Sequence, residues 1–349
     1  MRSILSSPAP TLKEVAREAG VSRATASRVL SETRPAGDLT RRAAETRRAV
    51  ERAARSLGYV PNRTARSLRT GRTHSIALVI PEPAIRLFGD PLFPRVVRGI
   101  TEVLGASDLQ LVLLAPQSRA DEDRLEHYLT AGHVDGALLL SLHGDDPLPG
   151  RLAAHGLPAV VGGRPPAGSR VSYADVDNVG GAVAAAQHLC ERGRRRIATI
   201  SGPPDMPAAQ DRLEGYRQAL RAAGLRASPS LVESGDFSRD GGERAMRTLL
   251  TREPRLDGVF VASDLMAAGA LQVLTETGRA VPAEVAVVGF DDSPFAASTI
   301  PPLSSVMQPI EELGREMTRL LLAAIDSRDR VPRRVILATD LVVRASSAG

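Results

Sequence analysis

The 349-residue sequence predicts two unlike parts, a small all-α head and a larger α/β body built from two doubly wound parallel sheets. Three observations predict them. Charge is unevenly placed: 45 Lys and Arg against 40 Asp and Glu give a net +5, yet residues 1–73 carry 16 against 6 and the remainder 29 against 34. Apolar residues in the first part recur at helical spacing. From Ser75 onward, short apolar runs alternate with helix-like stretches, the pattern of parallel strands covered on both faces. A head of net +10 on a body of net −5 is the layout of a chain whose one end meets a polyanion. A solvated basic helix would give the same arithmetic, so local pattern has to decide.

Thr11-Leu12-Lys13-Glu14 is a capping-box pattern that opens a first helix, and Leu12, Val15, Ala16 and Ala19 form its apolar stripe. Gly20 supplies a residue that turns with positive φ, Val21 faces the core, and Ser22 caps a second helix from Arg23 to Leu30. That helix buries Ala26, Val29 and Leu30 and leaves Arg23, Ala24, Thr25, Ser27 and Arg28 to supply its outward positions. Two short helices about a Gly-containing turn make a helix-turn-helix, whose second helix lies in the DNA major groove. A third helix reads from about Ala43 to Leu57, ended by Gly58. Three helices around so small a core make a marginal domain.

In the body, Ile76–Ile80, Leu109–Leu114, Gly136–Ser141 and Pro158–Gly162 read as strands, with helices over Pro94–Leu104 and Asp121–Ala131. The alternation restarts after Asp177-Asn178 with a long helix to Arg192. Strands follow at Ile197–Ser201, Leu231–Gly235, Gly258–Ala262 and Val285–Phe290. Two such halves form two lobes, with ligands bound near the carboxyl ends of strands. The segments from Val306 to Ile325 and from Val335 to Val343 read as crossing back between lobes.

Composition narrows the alternatives. Hydrophobic content of 43% with 24% charge excludes a disordered or collagen-like chain. No apolar run approaches the ~18 residues of a membrane span. The N-terminal MRSILSSPAP has no apolar h-region, and the lone Cys190 cannot form an internal disulfide, so a cytoplasmic protein is expected. Lys13 is the only lysine, a bias that reflects GC-rich coding rather than function. No Walker loop, Rossmann fingerprint or Gly-x-Ser-x-Gly elbow is present, and the six histidines show no metal-ligand spacing, so neither enzyme, metal nor cofactor is expected. Cys190 reads as a packed thiol.

Thr11-Leu12-Lys13-Glu14-Val15-Ala16, Ala19-Gly20-Val21-Ser22, Ser27-Arg28-Val29-Leu30 and Gly58-Tyr59 with Pro61-Asn62, Ala65 and Leu68 resemble the DNA-binding head of the LacI/GalR family of bacterial transcription regulators. The resemblance continues through Asp90-Pro91-Leu92-Phe93, Val134-Asp135-Gly136, Arg212-Leu213-Glu214-Gly215-Tyr216, Ser263-Asp264-Leu265-Met266-Ala267, Val288-Gly289-Phe290-Asp291-Asp292 and Pro301-Pro302-Leu303-Ser304-Ser305-Val306. It implies a helix-turn-helix domain over 1–60, a hinge helix over 61–73, and a periplasmic-binding-protein-like body over 74–349. Lobe 1 would hold about 74–173 and 304–330, and lobe 2 about 174–303 and 331–349. By position, the implied DNA contacts are Thr11, Ser22, Arg23, Ala24, Thr25, Ser27 and Arg28, with Arg23, Ala24 and Arg28 reading bases. Asn62, Ala65 and Leu68 would enter the minor groove, Leu68 as an apolar wedge.

The implied effector contacts are Phe93, Arg212, Phe237, Ser263 and Asp291. A guanidinium and a carboxylate suit vicinal hydroxyls, and Phe237 suits the face of a sugar ring. Asp264 reads as a helix cap. Two departures stand out in the body: Ser263 replaces a common Asn, and Gly163 a residue that is sometimes acidic or an amide. In the head, about six extra residues fall in Ser31–Arg42, reading as a loop that carries Arg34, Arg41 and Arg42, and Ala43 replaces a common Ser cap.

The function expected is a ligand-responsive repressor binding a near-palindromic operator in double-stranded DNA as a homodimer, with a carbohydrate between the lobes. With no heptad tail after Arg344, a dimer rather than a tetramer is expected. A nucleobase co-repressor and a sugar receptor for transport are the alternatives.

Overall fold

The computed structural model describes residues 10–31, 40–60, 71–105, 107–144, 146–166, 168–327 and 331–348. The chain divides into two compact units, 1–73 and 74–349. In the first, helices α1 (Leu12–Glu18), α2 (Arg23–Ser31) and α3 (Arg41–Leu57) enclose Val15, Ala16, Ala26, Val50, Ala53 and Ala54. Only two of those six side chains are larger than alanine, so apolar burial stabilises this unit weakly. Its ends are therefore well capped. The Thr11 hydroxyl accepts from Glu14 N–H at 3.4 Å, and Glu14 accepts from Thr11 N–H at 2.7 Å. Gly58 closes α3 at φ 65°. The α3 cap is Thr40, whose hydroxyl accepts from Ala43 N–H, so Arg41 and Arg42 open a helix rather than lie in a loop. Arg34 lies outside the described residues.

The second unit contains two six-stranded sheets. Lobe 1 is ordered β11-β5-β4-β3-β1-β2, with all its strands parallel. Its strands are β1 (Ser75–Val79), β2 (Gln110–Leu114), β3 (Gly136–Leu140), β4 (Ala159–Gly162), β5 (Ser172–Val176) and β11 (Arg334–Leu337). Lobe 2 is ordered β12-β10-β9-β8-β6-β7, with β12 alone antiparallel. It comprises β6 (Ile197–Ser201), β7 (Val232–Ser234), β8 (Gly258–Val261), β9 (Ala286–Asp291), β10 (Ser304–Met307) and β12 (Asp340–Val342). Central strands β1, β3, β6 and β8 are buried nearly end to end, as sheets covered on both faces require.

Lobe 1 carries helices α4 (Ala84–Gly89), α5 (Leu92–Leu104), α6 (Arg119–Thr130), α7 (Leu148–Ala154) and α12 (Ile310–Asp326). Lobe 2 carries α8 (Asn178–Glu191), α9 (Pro207–Ala222), α10 (Arg239–Arg252) and α11 (Asp264–Glu276). Close packing of α5 on α12 depends on two glycines: a Cβ on Gly99 would lie 2.0 Å from Glu311 O, and one on Gly314 2.4 Å from Val96 O. Arg95 clamps the same pair through a bidentate bond to Glu311 at 2.8 and 2.9 Å.

The expected lobe boundaries need correction. All of β5 belongs to lobe 1, Ser304–Met307 pairs with β9 in lobe 2, and Arg334–Leu337 pairs with β5 in lobe 1. The chain thus crosses after Val176, between β10 and α12, and between β11 and β12. Strand type was readable from apolar runs, but which sheet takes a late strand depends on edge pairing between distant segments. Sequence reading also omitted β5, α4 and α7.

Candidate functional site

In the head, Ser22 caps α2 by accepting from Thr25 N–H at 3.1 Å, and its hydroxyl bonds that of Thr25 at 2.8 Å. Burial of Ala26 fixes the helix rotation. Arg23, Ala24 and Arg28 are then exposed, with Thr25 and Ser27 half-buried beside them. Thr11 is an exposed cap. Asn62, Ala65 and Leu68 lie outside the described residues.

The body's cavity sits between the lobes at the carboxyl ends of their parallel strands, where doubly wound sheets bind ligands. All five expected effector residues line it: Phe93, Arg212, Phe237, Ser263 and Asp291. Arg212, on α9, is 5% exposed. Its Nε donates to Asn178 Oδ1 at 2.9 Å, and Nη1 donates to Ala262 O at 2.6 Å and approaches Asp291 Oδ1 at 3.5 Å. The guanidinium lies over Phe290, 3.8 Å from its centroid. Burial lowers its pKa, and four surrounding aspartates oppose that. Among the described residues Nη2 carries no hydrogen bond, and neither does Asp291 Oδ2, since Gln308 Nε2 and Arg212 both use Oδ1. A donor edge and an acceptor oxygen are therefore left beside the cavity.

Burial raises the carboxyl of Asp291 well above its ordinary range, more than Arg212 lowers it. Asp175, at the end of β5, is pushed up to about 6, chiefly by burial. Asp90 is raised for the same reason.

Backbone strain gathers at this site. Ser141, Phe237 and Asp291 all line the cavity and have φ of 62°, 61° and 112°, a region that side chains other than glycine rarely occupy. Phe237 fits there because position 202 has no side chain: a Cβ on Gly202 would lie 2.0 Å from Phe237 Cζ. Two guanidinium groups approach its ring, Arg86 at 5.1 Å and Arg212 at 6.0 Å from the centroid.

Two expectations change in detail. Phe93, expected as an effector contact, is in the first turn of α5 and only 2% exposed, so that it also belongs to the lobe 1 core. Ser263, not Asp264, caps α11, accepting from Met266 N–H at 3.3 Å. Asp264 is fully buried and accepts from Ser293 N–H, the Ser293 hydroxyl and the Ser305 hydroxyl, tying α11 to β10.

Sequence reading missed Asn178, Gln308, Asp175, Asp90 and Arg86 as cavity-lining side chains. Asp175 had a usable signal, a carboxylate closing a strand. Gln308 had none, because it reaches the cavity only through the crossing between β10 and α12. Cys190 is half-buried against the lobe 2 core, and burial raises its thiol pKa. His188 is buried against Ser347, at 2.8 Å, and no metal-binding cluster occurs among the described residues. No helix among them is long and apolar enough to cross a membrane.

A helix-turn-helix unit and a two-lobed ligand-binding body define a DNA-binding regulator under small-molecule control. Residues 11–62 match the family model for bacterial regulatory proteins of the lacI family, and 186–347 match that of the periplasmic binding protein-like domain. The HTH-type transcriptional regulator CelR of Thermobifida fusca is 50% identical over 342 residues, 97% of this chain and 98% of that one. A solved CelR–cellobiose complex aligns over 97% of this chain and 99% of its own at 49% identity and a TM-score of 0.77. The lac repressor dimer bound to operator and the anti-inducer ONPF aligns with the same coverage at 26% identity and a TM-score of 0.84. The chain belongs to the LacI family of transcriptional regulators.

Proposed function

We propose that this regulator is a cytoplasmic, non-enzymatic repressor that binds a near-palindromic operator as a homodimer and takes a neutral carbohydrate, cellobiose or a close relative, between its lobes. The observation that carries the ligand reading is the unused pair of Arg212 Nη2 and Asp291 Oδ2 beside Phe237. A donor and an acceptor set against an aromatic face match a sugar's vicinal hydroxyls and its C–H face. The charge balance points to an uncharged ligand. Each arginine lining the cavity is paired: Arg86 with Glu82, Arg164 with Asp211 and Arg212 with Asp291. Asp90 and Asp175 remain as surplus carboxyls, so a phosphorylated sugar would meet no free cation. The 49% identity to a cellobiose-bound structure supports the same choice.

On this reading Arg23, Ala24 and Arg28 read base edges, and Asn62, Ala65 and Leu68 form the hinge contacts. A ligand that binds one lobe arrangement better than another shifts operator affinity by that difference. Fluorescence polarisation with a palindromic operator and random DNA, with and without cellobiose, tests the proposal. Preference for the palindrome and a change of about fivefold or more on adding cellobiose are expected. No sequence preference would defeat the repressor reading, and a response to nucleobases alone would replace the carbohydrate. Arg28→Ala should cost about 1–3 kcal/mol of operator binding. Leu68→Ala should weaken specific binding far more than non-specific binding.

A further inference from the structure

Glu82 lies just after β1 and is 2% exposed. Its Oε1 gathers three lobe 1 partners: Arg86 Nη1 at 2.7 Å, His143 Nε2 at 3.3 Å and the hydroxyl of Ser141. Two of these reach lobe 2. His143 Nδ1 lies 3.0 Å from Asp205 Oδ2, and Gly144 N–H donates to the Asp205 carbonyl at 3.1 Å. Arg86 stacks over Phe237. The far side of His143 borders a groove of lobe 1 lined also by Asp146, by Glu122, Asp123 and Glu126 of α6, and by Arg151 of α7. An imidazole between two carboxylates donates to both only when it is protonated.

We propose that Glu82 is a positioning residue for effector recognition, aiming His143 at Asp205 and Arg86 at Phe237, so that closure of the lobes on a ligand takes up a proton at His143. The proposal rests on the interlobe cavity being the effector site.

The electrostatics agree with the geometry. The bond to Glu82, and after it the one to Asp205, holds His143 above its ordinary pKa against partial burial. Burial opposes the charge of Glu82, but His143, Arg86 and Ser141 together keep its carboxyl below the usual range. Lobe 1 groups flank His143 whether or not the lobes are closed. Asp205 is the partner that couples its proton to closure. A group whose pKa rises on closure favours the closed state fully below its ordinary value, and that support is lost as pH climbs through the raised value. Effector binding is therefore tighter at the acid end.

Calorimetry with the full-length protein and cellobiose, from about pH 6 to about pH 8.5, reads the effect. Asp175 and Asp291 give the cavity its own pH dependence, so the comparison is between profiles. The wild-type Kd should rise about three- to tenfold more over this range than that of Asp205→Asn, His143→Gln or Glu82→Gln. Should the buried Glu82→Gln variant fail to fold, the surface substitution Asp205→Asn carries the test, and parallel wild-type and Asp205→Asn profiles overturn the proposal. Histidine NMR reads the clasp directly, because on this proposal the lobe arrangement that holds Asp205 3.0 Å from His143 is sampled by the free protein and favoured further by cellobiose. His143 should titrate above its ordinary value in the wild type and move back toward it in Asp205→Asn. An ordinary value in the wild type overturns the clasp. If cellobiose binds at no pH, the carbohydrate reading fails, and the clasp stands or falls on the NMR titration.

Discussion

Lobe 1 meets the cleft with a broad apolar surface from its strand ends and from α5 and α12, among them Phe93, Leu140, Val161, Ile310 and Leu313, beside the charged Arg86, Asp90, Arg164 and Asp175, whereas lobe 2 sets Arg212, Ser263, Asp291 and the ring of Phe237 against it, with Met206, Pro207 and Ala208 alongside. The topologies are alike, so the contrast comes from what each strand end carries. The apolar wall is continuous with the core of lobe 1 and needs no compensation. The polar wall is costly to bury, and Arg212 is accordingly tied to Asn178, the Ala262 carbonyl and Asp291. One wall supplies contact area and the other orientation.

The sharpest break in that contrast is Arg212→Met. It leaves Asp291 buried without its cation, so a loss of about 3–5 kcal/mol of stability is expected. Cellobiose binding should vanish in calorimetry at a temperature where the variant remains folded. Leu140→Ala, on the opposite wall, should cost about 2–4 kcal/mol in denaturant unfolding and reduce affinity less than Arg212→Met does. If Leu140→Ala proved the more damaging to binding, the division of labour between walls would be reversed.

Asp175 sharpens the comparison through pH. Its carboxyl holds its proton more tightly in the folded protein, at about 6 against 3.8. Its contribution to stability is thus fully present below the ordinary carboxylate range and is lost as pH rises through about 6. Unfolding of the wild type relative to Asp175→Asn, measured below pH 3.8 and again above about pH 6, should differ by roughly 2–3 kcal/mol. Equal pH profiles would contradict it. The smallest expected effect is that of Gly202→Ala, whose methyl group must displace the Phe237 ring. A cost of about 1–3 kcal/mol is expected, with weakened cellobiose binding and little change in operator affinity without the sugar.

Much of this was legible in order along the chain. Thr11 and Glu14, three residues apart, bond each other as written, and the alternation from Ser75 onward did mark parallel strands. The residues that escaped are those whose role depends on distant neighbours. Tyr173 and Asp175 make β5 look unlike an interior strand, yet it lies between β4 and β11. Arg86 was not singled out, and His143 showed only the absence of metal-ligand spacing, yet Glu82 holds both where they meet lobe 2.

The sequence by itself determined the division into basic head and acidic body, the caps and turns of the head and most strands of the body, while the five side chains singled out for the cavity came from the family resemblance. The former are local matters of periodicity and capping chemistry. Only the tertiary structure decided which sheet takes β10 and β11, which polar groups keep unused hydrogen-bonding atoms, and that Glu82 gathers Arg86, Ser141 and His143. Those outcomes depend on edge pairing and burial between residues mostly tens to hundreds of positions apart. Of these pairs only Glu82 and Arg86, four residues apart, fall within one local window.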